Sequence, residues 1–153
     1  VAIGDFNADG FGDLAAGVPG ENSTTTDTGA VNVIYGSASG LTSNGNQQWG
    51  QGSPDIEEKA EKYDDFGFTV VADEFGHGVG DDLVAAVIGE GVSNQSDAGG
   101  VNVIYGAPAG LSSEDDQFWS QGSPDIEDSP EAGDLFGWGL GSAPGSGALS
   151  ATD

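Results

Sequence analysis

The 153-residue sequence has no cysteine, one histidine, and only 2 lysine plus arginine residues against 26 aspartate plus glutamate. Without cysteine there can be no disulfide, no thiolate zinc site and no cysteine nucleophile. The single histidine, His77, gives poor support to a triad, in which a base must lie within hydrogen-bond reach of the nucleophile. A histidine that ligates metal normally has company, so His77 reads as a solvated turn residue. The net charge of −24 leaves no basic patch for nucleic acid or for an anionic membrane surface. No apolar run approaches the roughly 18 residues of a membrane span, so membrane insertion is not expected, and no signal peptide is visible. A glycine-rich phosphate loop with its lysine is missing too. With 26 acids, some carboxylate pair will fall at a glycosidase-like separation by chance, so such a pair has no diagnostic weight. Enzyme chemistry is therefore not expected of these residues.

The acidity has two compatible readings. One is adaptation to high salt, where screening over a few ångströms keeps such a surface compact. The other is a secreted protein that collects divalent cations. The scarcity of lysine favours the first.

What the sequence does contain is a patterned loop, Asp5-Phe6-Asn7-Ala8-Asp9-Gly10-Phe11-Gly12-Asp13. Acids or amides stand at its positions 1, 3, 5 and 9, and Gly10 stands at position 6, where a chain wrapping an ion turns sharply. Calcium takes about 6–8 oxygen ligands, and this spacing supplies them from a tight curl. Asp5, Asn7, Asp9 and Asp13 would give side-chain oxygens and Phe11 its backbone carbonyl. Three acids in so short a loop repel one another unless a cation sits among them. An EF-hand would need Glu at position 12 and an outgoing helix, but Ala16 stands there in a short apolar run that reads as a buried strand. The loop therefore lies between two strands. The alternative is an acidic hairpin turn.

Internal repetition decides the fold. Val31-Asn32-Val33-Ile34-Tyr35-Gly36 recurs as Val101 to Gly106, and Gln51 to Glu57 recurs as Gln121 to Glu127, each at an offset of 70 residues. Trp49 maps to Trp119 and Phe66-Gly67 to Phe136-Gly137. A unit of this length suits a four-stranded propeller blade. In the complete copy, strands are expected over Phe66–Ala72, Leu83–Ile88, Val101–Tyr105 and Gln117–Ser120, separated by Gly-, Pro-, Asn- and Asp-rich turns. Ile56–Tyr63 reads as a loop between blades.

The fold expected is thus all-β, with antiparallel four-stranded β-propeller blades forming a partial propeller. Residues 1–62 make a partial blade with the acidic loop, 63–132 a complete blade, and 133–153 the start of a third blade with a flexible tail, Gly141–Gly147. The chain opens on Val1 in the middle of a strand, so further propeller blades are expected from the rest of a longer chain. Trp49, Trp119, Phe66 and Phe136 are expected in inter-blade core rather than in a carbohydrate site. Tyr35 and Tyr105, each closing a third strand, are likewise read as structural.

These motifs resemble the FG-GAP repeat family, which builds the β-propeller of integrin α chains and of many bacterial secreted proteins. The Phe-Gly pairs are Phe66-Gly67 and Phe136-Gly137, and Gly17-Val18-Pro19-Gly20 stands in the Gly-Ala-Pro place. The resemblance implies Ca2+ bound by Asp5, Asn7, Asp9, the Phe11 carbonyl and Asp13. It also implies an extracellular or cell-surface scaffold for binding or adhesion, whose partner is an unknown protein or glycan ligand. The alternative is a non-catalytic propeller module of a secreted hydrolase, such as a phospholipase or polysaccharide-degrading enzyme. A purely structural surface repeat is a third reading. In the second copy, Glu74, Gly76, Gly78 and Asp82 align with Asp5, Asn7, Asp9 and Asp13, and reaching Asp73 instead requires an inserted residue. That loop is expected to bind weakly or not at all.

Overall fold

A computed structural model describes residues 1–76 and 78–142, so His77 and all of the Gly141–Gly147 tail beyond Ser142 lie outside the described residues. Eight strands form two four-stranded antiparallel sheets, each in plain sequence order. The first sheet, blade 1, comprises β1 (Ala2–Gly4), β2 (Asp13–Val18), β3 (Ala30–Tyr35) and β4 (Thr42–Trp49). The second, blade 2, comprises β5 (Val70–Asp73), β6 (Asp82–Val87), β7 (Gly100–Tyr105) and β8 (Ser112–Trp119). The registers repeat as well: Leu14 faces Ile34 as Leu83 faces Ile104, and Val31 faces Trp49 as Val101 faces Trp119. Both copies slip register between the same residues of the third strand, Val33 to Tyr35 and Val103 to Tyr105.

The observed strands depart from expectation at two places. Phe66 is not in β5. It bridges in parallel to Gly29 of blade 1, with Phe66 N–H donating to the Thr28 carbonyl at 3.1 Å. The Phe-Gly pair is therefore the connector that seats one blade on the preceding one. The fourth strand is longer than expected and begins at Ser112, where Ser112-Ser113-Glu114-Asp115-Asp116 shows no apolar alternation. As an edge strand it exposes much of its surface, so nothing forces a hydrophobic pattern on it. The Ile56–Tyr63 stretch is a loop, and β6 is buried along its whole length.

One core joins the sheets. Ala2, Phe6, Ala15, Val31, Val33 and Tyr35 of blade 1 meet Phe66, Val70, Leu83, Ala85, Ile104 and Leu111. Full burial of each large aliphatic or aromatic side chain in this layer contributes roughly 1.5–3 kcal/mol. The layer is thin enough that Gly17 has no room for a β-carbon, which would overlap the Gly67 carbonyl. Trp49 packs against this core, whereas Trp119 is 37% exposed on the outer side of blade 2. Phe136 is only half-buried while Phe66 is fully buried. The core expectation thus holds for the first member of each pair. The second members fall short because, among the described residues, only one sheet-to-sheet layer exists.

Polar clasps fasten the same interface. The Tyr35 hydroxyl donates to Gln47 Oε1 and accepts the Leu111 N–H at 3.0 Å, while Gln47 Nε2 donates to the Leu111 carbonyl at 2.9 Å. Both backbone groups of Leu111, in blade 2, are thereby held by blade 1. Glu57 reaches across in the same direction, its Oε2 accepting the Phe118 N–H at 3.0 Å. Tyr35→Phe leaves the buried Leu111 N–H without an acceptor, at a cost of about 1–3 kcal/mol. Urea unfolding should register that loss, and a change within error would show that the clasp contributes nothing.

Candidate metal centre

The Asp5–Asp13 loop is the hairpin between β1 and β2, at one end of blade 1. Its curl is stabilised by its own side chains. Asp5 Oδ1 accepts the Asp9 N–H at 3.0 Å and Asp5 Oδ2 the Gly10 N–H at 2.9 Å. Asn7 Oδ1 also accepts from Asp9 N–H at 3.1 Å, and Asp9 Oδ1 accepts the Phe11 N–H at 2.9 Å. Gly10 takes a φ of +86°, which a side chain would strain. Three of the ligand candidates, Asp5, Asn7 and Asp9, are thus brought together around one short stretch of backbone.

Asp13 is set apart. It is the first residue of β2 and fully buried, its Oδ2 accepting the Phe6 N–H and its Oδ1 the Gly36 N–H, each at 2.8 Å. Burial raises its pKa above the ordinary carboxylate range, the two N–H groups oppose that, and the charges of Asp9 and Asp5 add to it. In blade 2, Asp82 makes the same pair of bonds, to Phe75 N–H at 2.8 Å and Gly106 N–H at 2.9 Å. There the loop has glycine at two ligand positions. Asp13 and Asp82 therefore share a structural task, pinning the hairpin to the end of the third strand. Sequence reasoning credited Asp13 only with a ligand's role.

A second residue was missed altogether. Asp81, from the blade 2 loop, accepts the Asp5 N–H on Oδ2 at 2.7 Å, and its own N–H donates to the Asp5 carbonyl at 2.9 Å. The two hairpin loops are stapled together through these bonds. The only sequence signal was the doublet Asp81-Asp82, where the first copy has Gly12-Asp13.

The donor set suits a hard cation. An ionised carboxylate oxygen that accepts one N–H retains a second lone pair, so Asp5 and Asp9 keep acceptor capacity. Phe11 is 42% exposed. Among the described residues, however, no three His, Asp or Glu side chains group closely enough to hold a metal. The loop gathers two carboxylates and one amide, and Asp13 faces inward.

Residues 1–34 match the FG-GAP repeat. These two sheets are an FG-GAP-like pair of propeller blades. The matched region runs from β1 through the acidic loop and β2 into β3, and blade 2 repeats its pairings strand for strand. FG-GAP repeats are structural units, and this one is a non-catalytic module. No curated protein matches the chain. Among the described residues no helix is long and apolar enough to cross a membrane.

Proposed function

We propose that this FG-GAP-like chain binds calcium in the Asp5–Asp13 loop and serves as an extracellular or cell-surface scaffold for binding or adhesion. The observation that supports the reading is the convergence of Asp5, Asn7 and Asp9 on the backbone of residues 9–11. Their side chains would hold the ion with the Phe11 carbonyl, and Asp13 would contribute from the buried side. The bound cation supplies positive charge that relieves repulsion among the three acids and fixes the β1–β2 hairpin. Because Asp5 is stapled to Asp81, ordering this loop also orders the junction between blades.

Binding to the folded state alone adds about 2.7 kcal/mol at a hundredfold excess of calcium over its dissociation constant. Asp9→Ala is expected to lower the melting temperature in calcium but hardly at all in chelator. Equal losses in both conditions would sink the ligand assignment. Calorimetric titration of the chain should find one site, lost in Asp9→Ala, with no second site from the Glu74–Asp82 loop.

A further inference from the structure

We propose that the cleft between the loop following β4 and the start of β8 binds alkylammonium groups, carried either on a free linear polyamine or on the lysine side chains of a partner. The cleft encloses about 610 Å³ between Asp55 and Glu57, in the connector from blade 1 to blade 2, and residues 112–116 of β8. Five carboxylates line it: Asp55, Glu57, Glu114, Asp115 and Asp116. Neither of the chain's two lysines, Lys59 and Lys62, does. Both walls belong to the two blades described above, and the site is separate from the Asp5–Asp13 loop.

The acidity of the β8 wall is particular to this blade. β4 holds the same place in blade 1, where Tyr35 faces Thr42 as Tyr105 faces Ser112. Asn44-Gly45-Asn46 stands there in place of Glu114-Asp115-Asp116. Gly45 takes a φ of +73°, and Asp115 takes nearly the same conformation, +59°, while carrying a side chain. The repeat accepts neutral residues at these positions, so the strand geometry does not call for three acids.

The two walls are fastened to each other. Glu57 N–H donates to Asp116 Oδ2 at 2.9 Å, and Glu57 Oε2 accepts the Phe118 N–H at 3.0 Å. Behind them lies Asn102 of β7, which is fully buried. Its Nδ2 donates to the Glu57 carbonyl at 3.1 Å, and the same side chain is hydrogen-bonded to the Asp116 carboxylate. Asn102 Oδ1, however, is buried with no hydrogen-bond partner. A buried acceptor without a donor is costly, and the site presents acceptors with no positive charge among them. An ammonium group entering between Glu57 and Asp116 carries three N–H donors, one for each carboxylate and one for Asn102 Oδ1. A metal ion fits less well, because among the described residues no three His, Asp or Glu side chains group closely enough to hold one. Acids spread along two walls suit ammonium groups spaced along a flexible chain.

The test is calorimetric titration of the full chain with spermine and, separately, with a capped Lys-Ala-Lys peptide. Chelator is present, and salt is held at about 0.15 M, where exposed charges more than about 8 Å apart are largely screened. The cleft variant Glu114→Gln/Asp115→Asn removes two exposed charges, and the control Glu127→Gln/Asp128→Asn removes two exposed charges from the loop after β8. Asp115 and Asp128 both hold a positive φ, which asparagine keeps. Circular dichroism confirms that both variants keep their sheets. Wild type and control should bind, and the cleft variant should bind about tenfold more weakly or worse. Tighter binding of spermine assigns the site to a free polyamine, and tighter binding of the peptide assigns it to a partner's lysines. Equal losses in the two variants overturn the proposal, because only bulk charge is then read. A wild type that binds neither probe overturns it as well. Calcium titrated without chelator completes the test: a calcium site lost in the cleft variant overturns the ammonium assignment, whereas one lost only in Asp9→Ala belongs to the Asp5–Asp13 loop and leaves the proposal standing.

Discussion

Asp82→Ala is expected to destabilise the protein by ~3–5 kcal/mol, and by the same amount in calcium and in chelator. Its carboxylate is fully buried and accepts two backbone N–H groups, Phe75 and Gly106. Removing it strands both donors in the hairpin junction, and each buried unsatisfied donor costs about 1–3 kcal/mol. Folded domains hold only about 5–15 kcal/mol in total, so the variant should melt ~10 °C lower. Asp13→Ala removes the same two bonds in blade 1 and should match Asp82→Ala in chelator. If Asp13 also completes the calcium site, its variant loses a further increment when calcium is present. Thermal melts of both variants in both buffers separate the pinning role from the ligand role. A small loss for Asp82→Ala would show that the pin is not structural.

Stability is expected to rise as pH falls from about 8 toward 4.5, and Glu90→Gln should flatten that rise. Glu90 is buried beside Gln51, and burial is the largest cause that pushes its pKa to about 7. The Gln51 hydrogen bond opposes the shift, and the charges of Asp64, Glu58 and Glu61 add to it. The folded state thus binds this proton more tightly than the unfolded chain, whose glutamate titrates near the ordinary 4.5. Its contribution is fully present below the unfolded value and is lost as pH rises through about 7. The difference corresponds to at most ~3 kcal/mol. Asp64, Asp65 and Asp116 are also raised, each chiefly by burial, so they reinforce the sign. Glu90→Gln keeps the shape without the charge and should be more stable than wild type at neutral pH. Urea unfolding at fixed high salt, in chelator, measures the slope. A wild type that loses stability across this range would contradict the burial of Glu90.

The two effects arise at the same kind of place, where an acidic sequence must bring carboxylates inside. Asp82 is held by two N–H groups and works as a pin, whereas Glu90 has one amide partner and several acids nearby. With 2 lysine plus arginine residues against 26 acids, ion pairing can neutralise few such groups. The protein relies on backbone donors, protonation or a bound cation.

The sequence by itself placed the strands in order and matched the two copies, but not the start of β5 or the length of β8. Period-two patterning and a 70-residue repeat are local or self-similar signals, and both are carried by residue identity. It also marked Asp5, Asn7 and Asp9, because ligand spacing within one loop needs no distant partner. Only the tertiary structure decided what crosses between blades. That Phe66 serves the preceding blade, that Tyr35 and Gln47 hold Leu111, and that Asp81 holds Asp5 all join residues far apart in sequence. No spacing rule connects such residues. The division of labour at Asp13 was hidden for the same reason. A carboxylate at position 9 of a loop looks like a ligand until the chain brings Gly36 back to within 2.8 Å of it. Which face of each sheet is covered was undecided as well, since identical residues such as Ile34 and Ile104 end up partly exposed in one blade and buried in the other. Burial depends on the neighbouring sheet.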